Sequence, residues 1–153
     1  MTLSRMLGAL VLAGAVGCAE LPKDAEGTLD RVRAEGLFRV GIVAPGADPG
    51  QRHQQHQMIR GVVAATAARA AISMGPSERL LVQLEQGEID LVLGALAPDS
   101  PWSKRVTLLP PLEQPAEGDA ARAPVLHAAA RNGENAWIRI LYREARAVAE
   151  PQS

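Results

Sequence analysis

Gly87-Glu-Ile-Asp-Leu-Val-Leu-Gly-Ala-Leu-Ala-Pro-Asp-Ser-Pro-Trp-Ser-Lys-Arg-Val106 is the stretch on which the reading of this chain turns. Gly87 suits the residue just past a helix end. The apolar run Ile89–Ala95 is short enough for a buried strand. Ala97 to Arg105 carries two Pro and two Ser and reads as a loop leaving the strand's C-terminal end. In open α/β sheets, ligands sit at that end of the strands.

Working outward, Ser77 is placed to cap a helix that turns Leu80, Leu81 and Leu84 inward and stops at Gly87. Val106–Leu109 reads as a short strand closed off by Pro110 and Pro111. Upstream, Thr28 reads as the N-cap of a short helix with Leu29 and Val32 on one face and Gly36 past its end. Leu37–Val43 is an apolar strand and Ala44–Gly50 a Pro/Gly loop. Gln51–Met74 reads as one long helix, Gln- and His-rich at first and Ala-rich later. Ile59, Val62, Val63, Ala67 and Ala71 form its apolar side, and Gly75 ends it. Downstream, residues 113–124 read as a surface linker. Val125–Ala129 is either a strand or the start of a helix. Asn135 opens a last helix striped by Trp137, Ile140, Leu141 and Val148. Strands alternating with helices predict an α/β fold, a single parallel-type sheet with flanking helices.

The 153 residues suit one domain, and a hydrophobic fraction of 47% suffices for a core. Aromatics make up 3%, so that core must be built from Ala, Leu and Val. A net charge of -1, with scattered Arg, argues against a nucleic-acid partner. Arg5 followed by the apolar run Met6–Val16 has the form of a secretory signal and is too short to span a bilayer. The expected signal peptide is 1–17. Ala15-Val16-Gly17-Cys18 resembles the lipobox of bacterial lipoproteins, in which the Cys thiol is lipidated and becomes the new N-terminus. That resemblance implies a lipid anchor at Cys18, the single cysteine, a tether over 18–27, and a periplasmic, membrane-anchored location. A lone cysteine forms no intramolecular disulfide.

Three segments in order resemble the bacterial extracellular solute-binding proteins of family 3. These are periplasmic receptors for amino acids and related solutes that feed ABC importers. Thr28-Leu-Asp-Arg-Val-Arg-Ala-Glu-Gly-Leu-Phe-Arg-Val-Gly-Ile-Val43 is similar to the family's opening helix and first strand. Ser77–Asp90, with Glu85-Gln-Gly-Glu-Ile-Asp90, resembles its helix-to-strand junction. Leu91–Pro111 resembles the next strand and its exit. Gly133-Glu-Asn-Ala-Trp137 is similar to the start of the closing helix. Members have two lobes joined by a hinge, with the ligand held between them. Only about a dozen residues, 113–124, stand where a second lobe would be, far below the 50 or so a domain needs. The resemblance therefore implies lobe one alone, over 28–149, with a tail at 150–153.

The family's ligand residues are eroded here. Ala44–Gly50 lacks the aromatic that follows the first strand, and the position of the α-carboxylate clamp Arg aligns with Trp102. Arg105 follows three residues later. The candidate ligand-binding set is therefore Asp99, Ser100, Trp102, Ser103 and Arg105, suited to a small amino-acid-like or anionic solute. The alternative is a capped, solvated loop with Trp102 packed on the core. His53 and His56 stand three apart on a helix but lack a supporting carboxylate or cysteine, so no metal site is expected. His127, in an apolar stretch, reads as structural, Asp90 as a cap or ion pair, and Glu85 and Glu88 as surface residues. Cyclohexadienyl dehydratases share the two-lobed fold and do elimination chemistry in the cleft, but one lobe cannot exclude water from such a site. Without nucleophile, metalloprotease or phosphate-loop motifs, the chain is expected to be no enzyme, with no catalytic residues and no cofactor.

Two functions follow from these readings. One is a lipid-anchored solute-binding module, a reduced relative of importer receptors, working with an ABC permease or another membrane complex. The other is a structural or protein-interaction lipoprotein that has lost its solute and self-associates through the exposed cleft edge.

Overall fold

The computed structural model describes residues 24–44, 46–113 and 125–150. The signal, Cys18, the linker beyond Glu113 and the tail beyond Glu150 lie outside the described residues. In chain order the elements are α1 (Thr28–Glu35), β1 (Leu37–Val43), α2 (Pro49–Thr66), β2 (Arg69–Gly75), α3 (Ser77–Glu85) and β3 (Leu91–Leu96). A 3-10 turn (Pro101–Lys104), β4 (Val106–Leu108), β5 (Val125–Arg131) and α4 (Asn135–Ala149) follow.

The five strands form one sheet in the order β2-β1-β3-β5-β4. β1 pairs parallel with both β2 and β3, whereas β5 runs antiparallel to β3 and to β4. The sheet is thus mixed, with one reversed strand among four that share a direction. β5, which takes in the stretch Val125–Ala129, open to either reading from sequence, is that strand. Its neighbours β3 and β4 use up both of its edges.

The Gln51–Met74 helix is corrected most. α2 ends at Thr66, and Arg69–Gly75 is a strand in unbroken register with Leu37–Val43. Alanine's helix preference amounts to tenths of a kcal/mol per residue, a weak prior that a seven-residue ladder with β1 outweighs. The local stop is Thr66, whose hydroxyl donates to the carbonyl of Val62 at 2.7 Å and accepts from the amide of Ala68 at 3.3 Å. Ala67 takes the left-handed conformation there, at φ 57°. The helix begins where Asp48 accepts from the Gln51 amide at 2.9 Å, with Pro49 in the first turn.

Two apolar layers flank the sheet. α1, α2 and α4 cover one face, where Phe38, Val40, Met58, Val62, Leu91, Leu93, Leu126, Trp137 and Leu141 pack together. The Phe38 and Trp137 rings meet tilted at 5.9 Å. α3 and the 3-10 turn cover the other face with Leu80, Leu81, Leu84, Ile89, Val92, Trp102 and Val106. Gly41 lets α3 sit this close to β1, since a Cβ there would lie 2.9 Å from side-chain atoms of both Leu80 and Ile89.

Helix starts are capped from a distance. Thr28 was expected to cap α1, but it is the first helical residue. The amides of Glu26 and Thr28 donate to the Glu134 carboxylate at 2.8 and 2.9 Å. Asp24 in turn accepts from Leu29 at 2.7 Å and from Ala136 and Trp137 at 2.7 and 3.0 Å. Each carboxylate satisfies amides that a helix leaves open in its first turn. Together they clip residue 24 to the start of α4.

Candidate functional site

β1 continues through α2 to β2 on one side of it, and β2 continues through α3 to β3 on the other. The chain therefore changes direction between β1 and β3. The crevice beyond their C-terminal ends is the topological switch point, where ligands of open α/β sheets bind. A cavity of about 30 Å³ lies there, lined by Val43, Gly46, Ala47, Gln51, Gln55, Gly94, Ala95 and Leu126. Gly94 is required on the backbone of β3 at this place, since a Cβ would fall 2.4 Å from Val43 Cγ2.

Gln55 is the notable residue in this lining. It is 4% exposed, and its Nε2 has no hydrogen-bond partner among the described residues. A buried amide donor left unpaired costs roughly 1–3 kcal/mol, which makes such atoms rare in folded proteins. At the rim, Glu113 accepts from Gln51 Nε2 at 3.1 Å and from the Leu126 amide at 2.8 Å. Among the described residues the lining thus offers an unpaired donor and no cation, with the Glu113 carboxylate bonded to two of the lining residues. It suits a small polar group that accepts a hydrogen bond, carried by a solute with a positive or donor group near Glu113. The volume admits about one water-sized group, so only the tip of a solute would enter.

The sequence-derived residues are spread across the sheet. Asp99 and Ser100 lie on the loop leaving the C-terminal end of β3, outside the cavity lining, and Asp99 is exposed. Ser103 folds back, donating through Oγ to the carbonyl of Ser100 at 2.8 Å. Trp102 is buried in the α3 layer and donates through Nε1 to Glu78 at 3.0 Å. Arg105 stands at the opposite edge, because β4 starts level with Arg131, at the far end of β5. Its Nε donates to Glu85 Oε1 at 2.9 Å, its Nη2 pairs with Glu85 Oε2, and its guanidinium lies 4.4 Å over the Trp102 ring. The expectation that Arg105 sits at the C-terminal edge with Asp99 is therefore corrected by the strand register.

The remaining polar residues are accounted for. Asp90, 4% exposed, holds Arg31 and Arg39 and accepts from the Arg39 amide at 2.8 Å. The buried His127 places Nδ1 2.8 Å from the Leu109 carbonyl. His53 contacts Gln57 at 2.8 Å and, like His56, is exposed. A wider open groove of about 390 Å³ between α2 and α4 is lined by Gln57, Arg60, Gly61, Glu144, Ala147 and Val148. It lies away from the strand ends and holds no comparable buried, unpaired group.

Gln55 escaped the sequence reading, although a signal was present. Positions 55, 58, 59, 62 and 66 share one helical face, and all five are buried. A glutamine on the core-facing stripe of a helix breaks its binary pattern and marks the position.

Among the described residues, no helix is long and apolar enough to cross a membrane. No family model matches the chain. No curated protein matches it either. Solved structures do. The arginine-bound form of domain 1 of TmArgBP superposes with a TM-score of 0.62 at 15% identity, over 77% of this chain and 98% of that one. The ancestral cationic amino acid solute-binding protein AncCDT-1 gives 0.57 at 11% identity, over 78% of this chain and 93% of that one. The arginine-bound T. maritima ArgBP truncated to residues 20–233 gives 0.56 at 11% identity, over 78% and 99%. At these identities the likeness establishes the fold: a five-stranded mixed α/β lobe of the kind found in periplasmic amino-acid-binding proteins.

Proposed function

We propose that this protein is a solute-binding-like lobe, a reduced relative of the receptors that deliver amino acids or small organic solutes to ABC importers. The observation that carries the reading is the unpaired, buried Gln55 amide at the β1–β3 switch point of a lobe with this fold. The match to an isolated domain 1 takes in nearly all of that domain, which supports a lobe able to stand alone. Asp99 and Ser100 border the crevice in this reading. Trp102, Ser103 and Arg105 shape the loop that carries them. Lipid anchoring at Cys18 and an extracytoplasmic location belong to the same proposal. No catalytic role is proposed.

The test is a thermal-shift screen against arginine, lysine, glutamine and small organic acids, run on protein whose membrane-extracted form is weighed intact. A solute present at about tenfold its Kd stabilises by about 1.4 kcal/mol, a rise in Tm of about 4 °C for a chain of this size. No shift from any of them at about 10 mM overturns solute binding, on the same linkage arithmetic. A mature N-terminus elsewhere than an acylated Cys18 overturns the anchor.

A further inference from the structure

We propose that the open edge of β2 is a strand-addition surface for an extended peptide segment bearing carboxylates at its two ends. Among the described residues, β2 is the last strand on its side of the sheet and pairs only with β1. The hydrogen-bond phase follows from the two ends of the ladder. The Arg69 amide donates to the Gly36 carbonyl at 2.9 Å, and the Ala44 amide donates to the Gly75 carbonyl at 3.0 Å. Backbone groups alternate in direction along a strand, so Arg69, Ala71, Ser73 and Gly75 aim theirs at β1. Ala70, Ile72 and Met74 aim theirs at the open edge. An independent contact agrees, since Arg79 Nη2 reaches the Met74 carbonyl from outside at 3.1 Å.

Edge strands are commonly blunted by a proline, a lysine, an inward charge or a bulge. Arg69–Gly75 contains no proline, its one charged residue is Arg69 at the first position, and its register with β1 is unbroken. Ile72 and Met74 are 50% and 63% exposed, and they share the sheet face of Val40 and Ile42, their register partners. The edge thus presents outward backbone groups at Ala70 and Ile72 beside an apolar centre, with the Met74 carbonyl held by Arg79, the frame on which a peptide adds as a further strand.

Charge selects the occupant. Arg69 stands at one end of the strand and Arg79 at the other, and neither is in an ion pair among the described residues. A second copy added antiparallel about Ile72 would set Arg69 of each chain opposite Gly75 of the other, beside its Arg79. That like-charge arrangement disfavours self-pairing. An incoming segment with carboxylates at both ends and β-branched residues between them meets both arginines and covers Ile72 and Met74.

The test titrates wild-type protein into two fluorescein-labelled peptides, acetyl-Glu-Thr-Val-Thr-Val-Thr-Glu-amide and its twin with lysine at both ends. The glutamate peptide is expected to bind at least about tenfold more tightly at low salt, with the gap shrinking to about threefold at 0.5 M salt as the ends are screened. Ile72→Pro removes an amide that makes no bond within the fold, and proline is tolerated where a strand's N–H faces solvent. It is expected to keep its Tm within a few degrees and to lose binding about tenfold. The R69E/R79E variant, which leaves the backbone alone, is expected to reverse the preference toward the lysine peptide. Equal binding of the twins, no binding at about 1 mM, or full binding by Ile72→Pro overturns the proposal. A dimer that Ile72→Pro abolishes also overturns it, by giving the edge to a second copy.

Discussion

The two ends of the sheet make opposite use of their polar groups. At the N-terminal end of β3, every buried carboxylate has partners. Asp90 holds two arginines and a backbone amide, and Glu134, fully buried, holds two amides. Arg105 is spent on Glu85 nearby. At the C-terminal end, Gln55 is as buried as Asp90 yet keeps a donor with no partner among the described residues. Burial alone therefore does not separate the two ends; hydrogen-bond satisfaction does. A group that has all its hydrogen bonds holds the fold, whereas a buried one that lacks them keeps capacity for a further partner.

The largest test of this contrast is Glu134→Ala. It strips the acceptor from the amides of Glu26 and Thr28 and leaves both without a side-chain partner at the start of α1. The expected loss is about 3 kcal/mol in urea unfolding. A loss below about 1 kcal/mol on that scale would mean the cap network is ornamental and the contrast fails. Next comes Gln55→Leu, which replaces an unpaired amide with an apolar group of similar size. Stability should rise by about 1 kcal/mol while any solute-induced shift in Tm disappears, the pattern of a residue kept for binding at some cost to the fold. A clear fall in stability would show instead that Gln55 is structurally satisfied.

The smallest effect is expected from Arg105→Ala. Its side chain is 51% exposed, so the pair with Glu85 and the stack on Trp102 together should cost less than about 1 kcal/mol. Solute response should be unchanged, because Arg105 stands at the opposite end of the strands. If calorimetry showed that response collapsing, the loop set read from sequence would regain its place as the site.

Much of the fold was legible locally. The Leu80, Leu81, Leu84 stripe, Gly87 after α3, and the apolar runs at β1 and β3 each carry their signal within a few residues. β2 was not legible, because alanines that favour a helix in isolation are held extended by a ladder to a strand some thirty residues earlier. Thr28 was misread for a related reason. Its helix start is capped by Glu134, a residue no local pattern connects to it. The site divided in the same way. Asp99 and Ser100 were placed just past the end of β3, as expected, because the end of a strand is a local property. Arg105 was assigned to the wrong edge because its place depends on the pairing of β4 with β5.

By itself, then, the sequence determined the element types with short-range signatures, the apolar stripes, the alternation that makes an α/β sheet, and the resemblance to a solute-binding lobe. The tertiary structure alone decided the strand order, the reversed direction of β5, the end of α2 at Thr66, and which polar groups remain unpaired. Periodicity and capping are written in neighbouring residues. Hydrogen-bond satisfaction and strand register depend on groups far apart in the chain, and they have no value until the chain has closed on itself.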